Sequence, residues 1–158
     1  MGFYRTAQIC MNGHCITSSI DVNPERAAQY CGKCGSQTIT TCPSCNAPIR
    51  GYYVEAGVID LTPYVVPAYC HNCGAPYSWT QQALDVATAV IKESELSPGD
   101  QESLIEVLPA VISETPKSQI ASVRLQKLLP LAGKFAADAL RQLIIEFGCA
   151  FIRQQMGL

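Results

Sequence analysis

Basic residues are scarce in the first half of this sequence. Residues 1–79 contain only four lysines or arginines, Arg5, Arg26, Lys33 and Arg50, and the formal charge of the whole chain is −2. Proteins that bind duplex DNA do so mainly through phosphate contacts from clustered lysines and arginines. The scarcity of basic residues therefore argues against a duplex DNA-binding protein.

Long apolar runs are also missing. No apolar run of the length that a signal peptide needs precedes Cys10, and charged residues interrupt the apolar last segment, residues 131–155. A helix that spans a bilayer needs about 20 predominantly apolar residues. We therefore expect a cytoplasmic protein without a membrane span. In the cytoplasm, closely spaced cysteines bind metal more often than they form disulfides.

The motifs of cysteine-dependent and zinc-dependent enzymes are absent as well. No His-x-Glu precedes a Pro-Cys-x-x-Cys, as a zinc deaminase requires. A redox pair of the thioredoxin type is a single Cys-x-x-Cys within a βαβ unit, whereas this sequence has three such motifs and no βαβ pattern. No set of serine, histidine and acid suggests a nucleophile and its base. We therefore predict a protein that is not an enzyme and has no catalytic residues.

Cysteine is abundant, but in one half only. Eight of the nine cysteines, all seven tyrosines and the single tryptophan lie in residues 1–79. A segment of this length has too small a core to be stable without disulfides or metal, and from residue 80 the pattern becomes helical. The sequence therefore predicts an α+β protein. A small β-rich domain at 1–79, of the double zinc-ribbon or treble-clef type, precedes a helical domain at 80–158.

The spacing of the cysteines is that of metal ligands. Three cysteine pairs have a two-residue gap, and one Cys-x-x-x-His pair brings the number of candidate ligands to eight, which is two complete zinc tetrahedra. The predicted ligands are Cys10, His14, Cys31, Cys34, Cys42, Cys45, Cys70 and Cys73. Since protein side chains would fill all four coordination positions of each ion, we expect two structural Zn²⁺ ions. Their binding to thiolates brings the formal charge of the chain to about −5.

Two features of this ligand set stay open in the sequence. The four pairs combine either in chain order, first with second and third with fourth, or cross-braced, first with third and second with fourth. Cys15 competes with His14, because a four-residue gap from Cys10 also suits zinc. We favour chain order and His14, since the Asn12-Gly13 turn directs the following side chain toward Cys10.

The pattern between the ligand pairs predicts short elements. Runs rich in β-forming residues predict strands at 38–41, 49–54 and 64–69. Asn23-Pro24 begins a predicted helix of about two turns that ends at Tyr30. Gly35, Asn46 and Gly74 each follow the second cysteine of a pair, where a positive φ lets the turn close.

Four helices are predicted in the second half. Thr80 caps a helix over 81–96, and a second helix runs from Pro98 toward Leu108, where Pro109 interrupts it. A third begins at Thr115-Pro116 and ends near Pro130.

The last predicted helix, 131–155, has the clearest period in the chain. Phe135, Ala139, Leu143, Phe147 and Phe151 follow one another at i+4 spacing. Such a row either faces the core of a helical domain or forms a surface for self-association or partner docking.

Four stretches of the first half contain the ligand pairs: Gln8–His14, Tyr30–Cys34, Thr38–Gly51 and Pro67–Tyr77. Together they resemble a bacterial domain-of-unknown-function family of double zinc-ribbon proteins. The resemblance implies a bacterial zinc protein and implies no reaction. It also implies that His14 is a ligand, because the family shares the Cys-x-Asn-Gly-His motif.

Two functions follow as hypotheses. The first is a zinc-stabilised, non-enzymatic interaction or scaffold protein whose helical domain associates with itself or with a protein partner. The alternative is binding of RNA or single-stranded nucleic acid by aromatic rings near Arg50. The aromatic residues concerned are Tyr52, Tyr53, Tyr64, Tyr69, Tyr77 and Trp79. Aromatic rings also pack over small metal-bound cores, which is their structural explanation.

Overall fold

Short strands and turns form the first half of the chain, and helices form the second. The computed structural model describes all 158 residues, which separate into two units, Met1–Thr80 and Gln81–Leu158. The predicted α+β class is thereby confirmed. None of the helices is both long enough and apolar enough to span a bilayer.

Two small antiparallel sheets organise the first unit. One pairs strand β1 (Phe3–Thr6) with strand β5 (Arg50–Val54). In the other, strand β2 (Gln8–Cys10) lies between strand β3 (Cys15–Thr17) and strand β4 (Thr38–Ile39). Few aliphatic side chains are fully buried here, with Ala7, Ile9 and Ile49 at the centre.

The strand predictions are partly wrong. Residues 64–69 form no strand, and only Tyr69 makes an isolated bridge, to Pro76. The strand predicted at 38–41 ends at Ile39, and Thr41 bridges Pro48 instead. These segments lead into cysteine turns, and each turn reverses the chain before a longer ladder can form.

The helix predicted from Asn23 to Tyr30 is wrong. Only Pro24–Arg26 is helical, as a single 3₁₀ turn, and Ala27 is already extended with ψ 138°. The Ala28 N–H donates to Oε1 of Gln8 at 3.1 Å, and the Ala28 carbonyl accepts from Nε2 of Gln8 at 3.0 Å. Because both peptide groups of Ala28 are bound to Gln8, the helix cannot continue through it.

Five helices follow. They are α1 (Ser78–Lys92), α2 (Pro98–Ile112), α3 (Ser118–Leu128), α4 (Lys134–Phe147) and α5 (Ala150–Met156). Leu104, Leu129 and Ile152 are among the fully buried side chains at the core of the second unit.

The predicted bounds of the first and third helices shift. α1 begins two residues before Thr80, whose hydroxyl donates to the Ala68 carbonyl instead of capping the helix. It ends at Lys92, and the turn that follows bonds the Glu95 N–H to the Ala132 carbonyl. α3 begins at Ser118 after the predicted Thr115-Pro116 turn and ends at Leu128.

α2 does not stop at Pro109, which corrects the prediction. The helix continues to Ile112, and Val107, Leu108, Ala110 and Val111 around the proline are buried. Proline in a helix interior removes one hydrogen bond and costs about 3 kcal/mol. Burial of a Val or Leu side chain contributes about 1.5–3 kcal/mol, so several such side chains outweigh the proline.

The long last helix is also wrong, because the structure divides it into α4 and α5. The break lies at Gly148 and Cys149, where the Cys149 N–H donates to the Val111 carbonyl at 2.9 Å. A Cβ on Gly148 would overlap the Ile144 carbonyl oxygen. The buried face of α4 consists of Ala136, Ala137, Leu140 and Ile144, whereas Phe135 is 76% exposed.

Candidate metal centres

Each of the three Cys-x-x-Cys segments folds as the same tight turn, which we call a knuckle. In every knuckle the first cysteine N–H donates to the carbonyl five residues later, and the residue after the second cysteine donates back to the first cysteine carbonyl. The six hydrogen bonds are Cys31 to Ser36, Cys42 to Ala47, Cys70 to Ala75, Gly35 to Cys31, Asn46 to Cys42 and Gly74 to Cys70, all at 2.8 or 2.9 Å. The three turns are therefore one structural motif used three times.

A left-handed residue closes every knuckle. Gly35 and Gly74 both have φ 74°, and Asn46 has φ 62°. Asn46 is the only residue other than glycine with a positive φ, and asparagine tolerates this region better than most residues do. The positive φ values predicted at these three positions are confirmed.

The fourth ligand pair lies in the turn between β2 and β3. The Gly13 N–H donates to the Cys10 carbonyl at 2.9 Å, and Gly13 itself has φ 91°. This turn directs the His14 ring back, so that its Nδ1 lies 3.5 Å from Sγ of Cys10 and 3.5 Å from Sγ of Cys31. Cys15 begins β3 and is exposed, outside the cluster.

The eight predicted ligands come together as two groups of four, in chain order. Site one contains Cys10, His14, Cys31 and Cys34, and site two contains Cys42, Cys45, Cys70 and Cys73. Within each site all ligand atoms lie within 4.8 Å of one another. This geometry excludes the cross-braced pairing.

Distances between the ligand atoms test whether an ion fits. A tetrahedral ion with bonds of about 2.3 Å to sulfur and about 2.0–2.1 Å to nitrogen separates two sulfurs by about 3.8 Å and a sulfur and a nitrogen by about 3.6 Å. Cys10 and Cys34 are 3.7 Å apart, Cys45 and Cys70 are 3.7 Å apart, and Cys42 and Cys73 are 3.8 Å apart. Both sites therefore have the size of a tetrahedral metal site.

Hydrogen bonds to sulfur favour the thiolate form in both sites. The backbone N–H and the hydroxyl of Ser36, with the Asn12 amide, lower the pKa of Cys34 to about 5. The backbone N–H groups of Cys73 and Asn72 lower the pKa of Cys70 to about 6. Thiolate is the form that binds metal.

Other thiols in the same sites resist ionisation. The Ala75 N–H lowers the pKa of Cys73, but burial and hydrogen bonds with the other three cysteine thiols outweigh it and raise the pKa to about 11. Burial likewise raises the pKa of Cys10. Three or four adjacent thiols do not all ionise by themselves, since like charges repel. A cation bound in each site would supply the compensating charge.

Asn12 supports site one, a role that ligand spacing alone did not reveal. Its Nδ2 lies 3.4 Å from Sγ of Cys34 and 2.8 Å from Oγ of Ser36. Gly13 is required for a second reason besides its φ, because a Cβ there would come within 2.9 Å of Cβ of Trp79. The signal for both roles is the Asn-Gly step inside the Cys-x-Asn-Gly-His motif.

The aromatic residues singled out in the sequence lie in different environments. Tyr77 and Trp79 are buried and stacked, with centroids 4.6 Å apart and planes at 16°. Tyr52 and Tyr64 form a second pair at 5.6 Å, and Tyr69 is half-buried. Of this set only Tyr53 is an exposed ring, so most of these rings pack inside the unit.

Comparison with known proteins assigns the chain to a family. No curated protein and no solved structure matches it. The model of the family DUF2321, described as an uncharacterized protein conserved in bacteria, matches residues 3–156. The match includes all eight residues of the two Cys/His clusters, which fit a double zinc ribbon. The chain therefore belongs to this family of uncharacterized bacterial proteins.

Proposed function

We propose that the chain is a non-enzymatic binding protein whose first unit is held in shape by two structural zinc ions. The observation that carries this proposal is the fit of both ligand sets, at 3.5–3.8 Å between ligand atoms, to tetrahedra of zinc dimensions. Sites with four sulfur ligands, or with three sulfurs and one nitrogen, are those of structural zinc. The thiols stay reduced in the cytoplasm, where we place the protein.

The completeness of both ligand sets supports a structural role. Catalytic zinc has three protein ligands and one position for water or substrate, whereas each site here offers four protein ligands. The aliphatic core of the first unit is also small, so its own apolar packing contributes little stability. The ions would therefore contribute folding free energy to this unit.

The metal content of purified protein tests this proposal. We expect two zinc ions per chain when the protein is purified under reducing conditions and analysed by mass spectrometry of its metals. Iron also accepts four thiolates in this geometry, but it gives strong visible absorption, whereas the zinc protein is colourless. A stoichiometric iron content, or no metal, would refute the zinc assignment.

We propose further that the second unit associates with another copy of the chain or with a protein partner. The support is two exposed apolar side chains near the start of α4, where Leu131 is 59% exposed and Phe135 is 76% exposed. Exposed apolar surface is typical of sites that bind another protein. We expect light scattering to detect an oligomer or a stable complex, which Phe135→Ser weakens. A wild-type monomer that captures no protein contradicts this part.

Binding of single-stranded nucleic acid is the second candidate function, and one observation favours it. Tyr53 is exposed, and Arg50 lies on the same strand beside a further exposed ring, Tyr4. Stacking of bases on aromatic rings is the common mechanism of such binding.

A further inference from the structure

An irregular pairing of β1 with β5 brings three side chains onto one face of the sheet. Tyr4 lies opposite Tyr53 and Thr6 lies opposite Arg50, with a shift of register between them. In a regular strand Arg50 and Tyr53, three residues apart, would point to opposite faces. The extra residue of the bulge lies on β5, so Arg50 turns to the face of Tyr4 and Tyr53.

Gly51 makes this bulge possible. A Cβ at Gly51 would overlap the carbonyl oxygen of Ser18, and the Ser18 carbonyl also accepts the Tyr52 N–H at 3.1 Å. Only glycine allows the chain to approach so closely. The bulge therefore depends on a specific residue of the sequence, Gly51.

The three side chains contact one another, and we call them the Tyr4–Arg50–Tyr53 cluster. The Arg50 guanidinium carbon lies 4.2 Å above the centroid of the Tyr4 ring. Tyr4 and Tyr53 meet edge to face with centroids 5.0 Å apart. Tyr4 is 47% exposed and Tyr53 is 45% exposed, and Arg50 is exposed as well, so part of each ring and of the guanidinium is open to a ligand.

An open groove of about 320 Å³ adjoins the cluster. Besides the cluster, its walls include Tyr52, Tyr64 and Pro67. The Tyr64 hydroxyl donates to the Arg50 carbonyl at 2.6 Å, and the Tyr52 hydroxyl donates to the Thr62 carbonyl at 3.2 Å. These hydrogen bonds hold the walls in place before any ligand binds.

The charge of Arg50 is available for a ligand. Arg5, the other arginine on these strands, is paired with Asp21 at 3.0 Å, whereas Arg50 takes part in none of the ion pairs of the chain. The cluster thus combines aromatic rings with one cation that has no carboxylate partner. A ligand that matches it carries an aromatic ring and an adjacent negative charge, which describes a nucleotide.

We propose that the Tyr4–Arg50–Tyr53 cluster and its groove bind nucleotides within a single-stranded nucleic acid. A nucleic acid strand fits the site better than a free nucleotide does. One guanidinium matches the single charge of a phosphodiester, and the groove is open to solvent, so that the strand can continue beyond it. Residues 1–80 contain four basic and four acidic side chains, and ligation of zinc by thiolates adds negative charge, so the unit has no broad positive field. Stacking therefore provides most of the binding free energy. The inference develops the second candidate function and rests on the metal-held first unit.

Fluorescence anisotropy with a labelled twelve-residue oligouridylate tests the proposal. The full chain is used, after its zinc content has been measured. Stacking contributes about 1–3 kcal/mol per base, so we expect Tyr53→Ala and Tyr4→Ala to weaken binding about 5- to 150-fold. Tyr53→Phe should bind like the wild type. The matched control is Tyr30→Ala, because Tyr30 precedes the first knuckle and is 58% exposed, and it should leave binding unchanged.

Arg50 supplies a second, independent readout. Each phosphate contact in a single strand contributes about −0.7 to the slope of log K against log salt. We expect a shallow slope for the wild type, which Arg50→Met brings closer to zero by about that amount and Arg50→Lys preserves.

Three results would overturn the inference. The first is no binding of the oligonucleotide by the zinc-loaded wild type at low salt. The second is a loss of affinity in Tyr30→Ala equal to that in Tyr53→Ala. The third is displacement of the oligonucleotide by uridine monophosphate or a proline-rich peptide at comparable concentrations. The last would assign the groove to a free nucleotide or to a peptide. A chain without zinc would instead contradict the proposed metal sites, so the two failures are distinguishable.

Discussion

The side-chain amide of Gln8 pairs with the peptide groups of Ala28 through two hydrogen bonds. Nε2 of Gln8 donates to the Ala28 carbonyl at 3.0 Å, and Oε1 accepts from the Ala28 N–H at 3.1 Å. Gln8 is buried on β2, the strand that also carries Cys10. The pairing fixes the segment before Cys31 against that strand, and so it brings the two halves of site one together.

Replacement of Gln8 by glutamate should destabilise site one. A carboxylate cannot donate to the Ala28 carbonyl, and an unsatisfied buried group costs about 1–3 kcal/mol. We expect the free energy of unfolding of the first unit to fall by about that amount and one zinc ion to transfer faster to a chromogenic chelator. Gln29→Glu is the control, because Gln29 is exposed and the change in charge is the same. Equal effects of both variants would show that charge alone is responsible.

The same pairing explains why one element could not be predicted from sequence. Asn23-Pro24 is a local helix-start signal, and the structure does form a helical turn there. The residue that stops the helix is Gln8, about twenty positions earlier, and no local pattern contains that information. The clusters could be predicted, in contrast, since the spacing within each ligand pair is a local property of one turn.

Removal of metal should unfold the first unit and leave most of the helix intact. Trp79 is the only tryptophan, is buried, and stacks on Tyr77, so its fluorescence reports on the first unit. We expect a strong chelator under reducing conditions to shift its emission to longer wavelength, while circular dichroism at 222 nm keeps most of its amplitude. The helical unit retains its signal because it has its own apolar core. Unchanged emission after verified loss of metal would contradict a structural role for the ions.

Serine substitutions separate a ligand from its competitor. Cys10 lies within site one, whereas Cys15 is exposed outside it. We expect Cys10→Ser to retain one tightly bound zinc ion per chain and Cys15→Ser to retain two, as measured by metal analysis after dialysis. His14→Ala should resemble Cys10→Ser. If Cys15→Ser loses an ion and His14→Ala does not, then Cys15 is the ligand in solution.

The apolar row of the last predicted helix does not coincide with the face that the structure buries. Phe135, Ala139 and Leu143 recur every four residues, but an α-helix has 3.6 residues per turn, so each step advances about 40° around the axis. The row therefore winds from an exposed start at Phe135 to partly buried positions at Leu143 and Phe147. The row indicated a helix correctly, but not which face is buried.

Pro109 offers a test of how tertiary packing overrides a local break. Its ring lies in the interior of α2 and is exposed, and it cannot donate the helical hydrogen bond to the Ile105 carbonyl. Pro109→Ala restores that donor and removes the steric conflict, so we expect the free energy of unfolding of the second unit to rise by about 1–3 kcal/mol. Thermal unfolding followed at 222 nm measures the change. Pro98→Ala is the matched control, because Pro98 is the first residue of the same helix, where no hydrogen bond is missing. A decrease in stability for Pro109→Ala, or an equal increase for both variants, would show that Pro109 does not destabilise α2 in the folded protein.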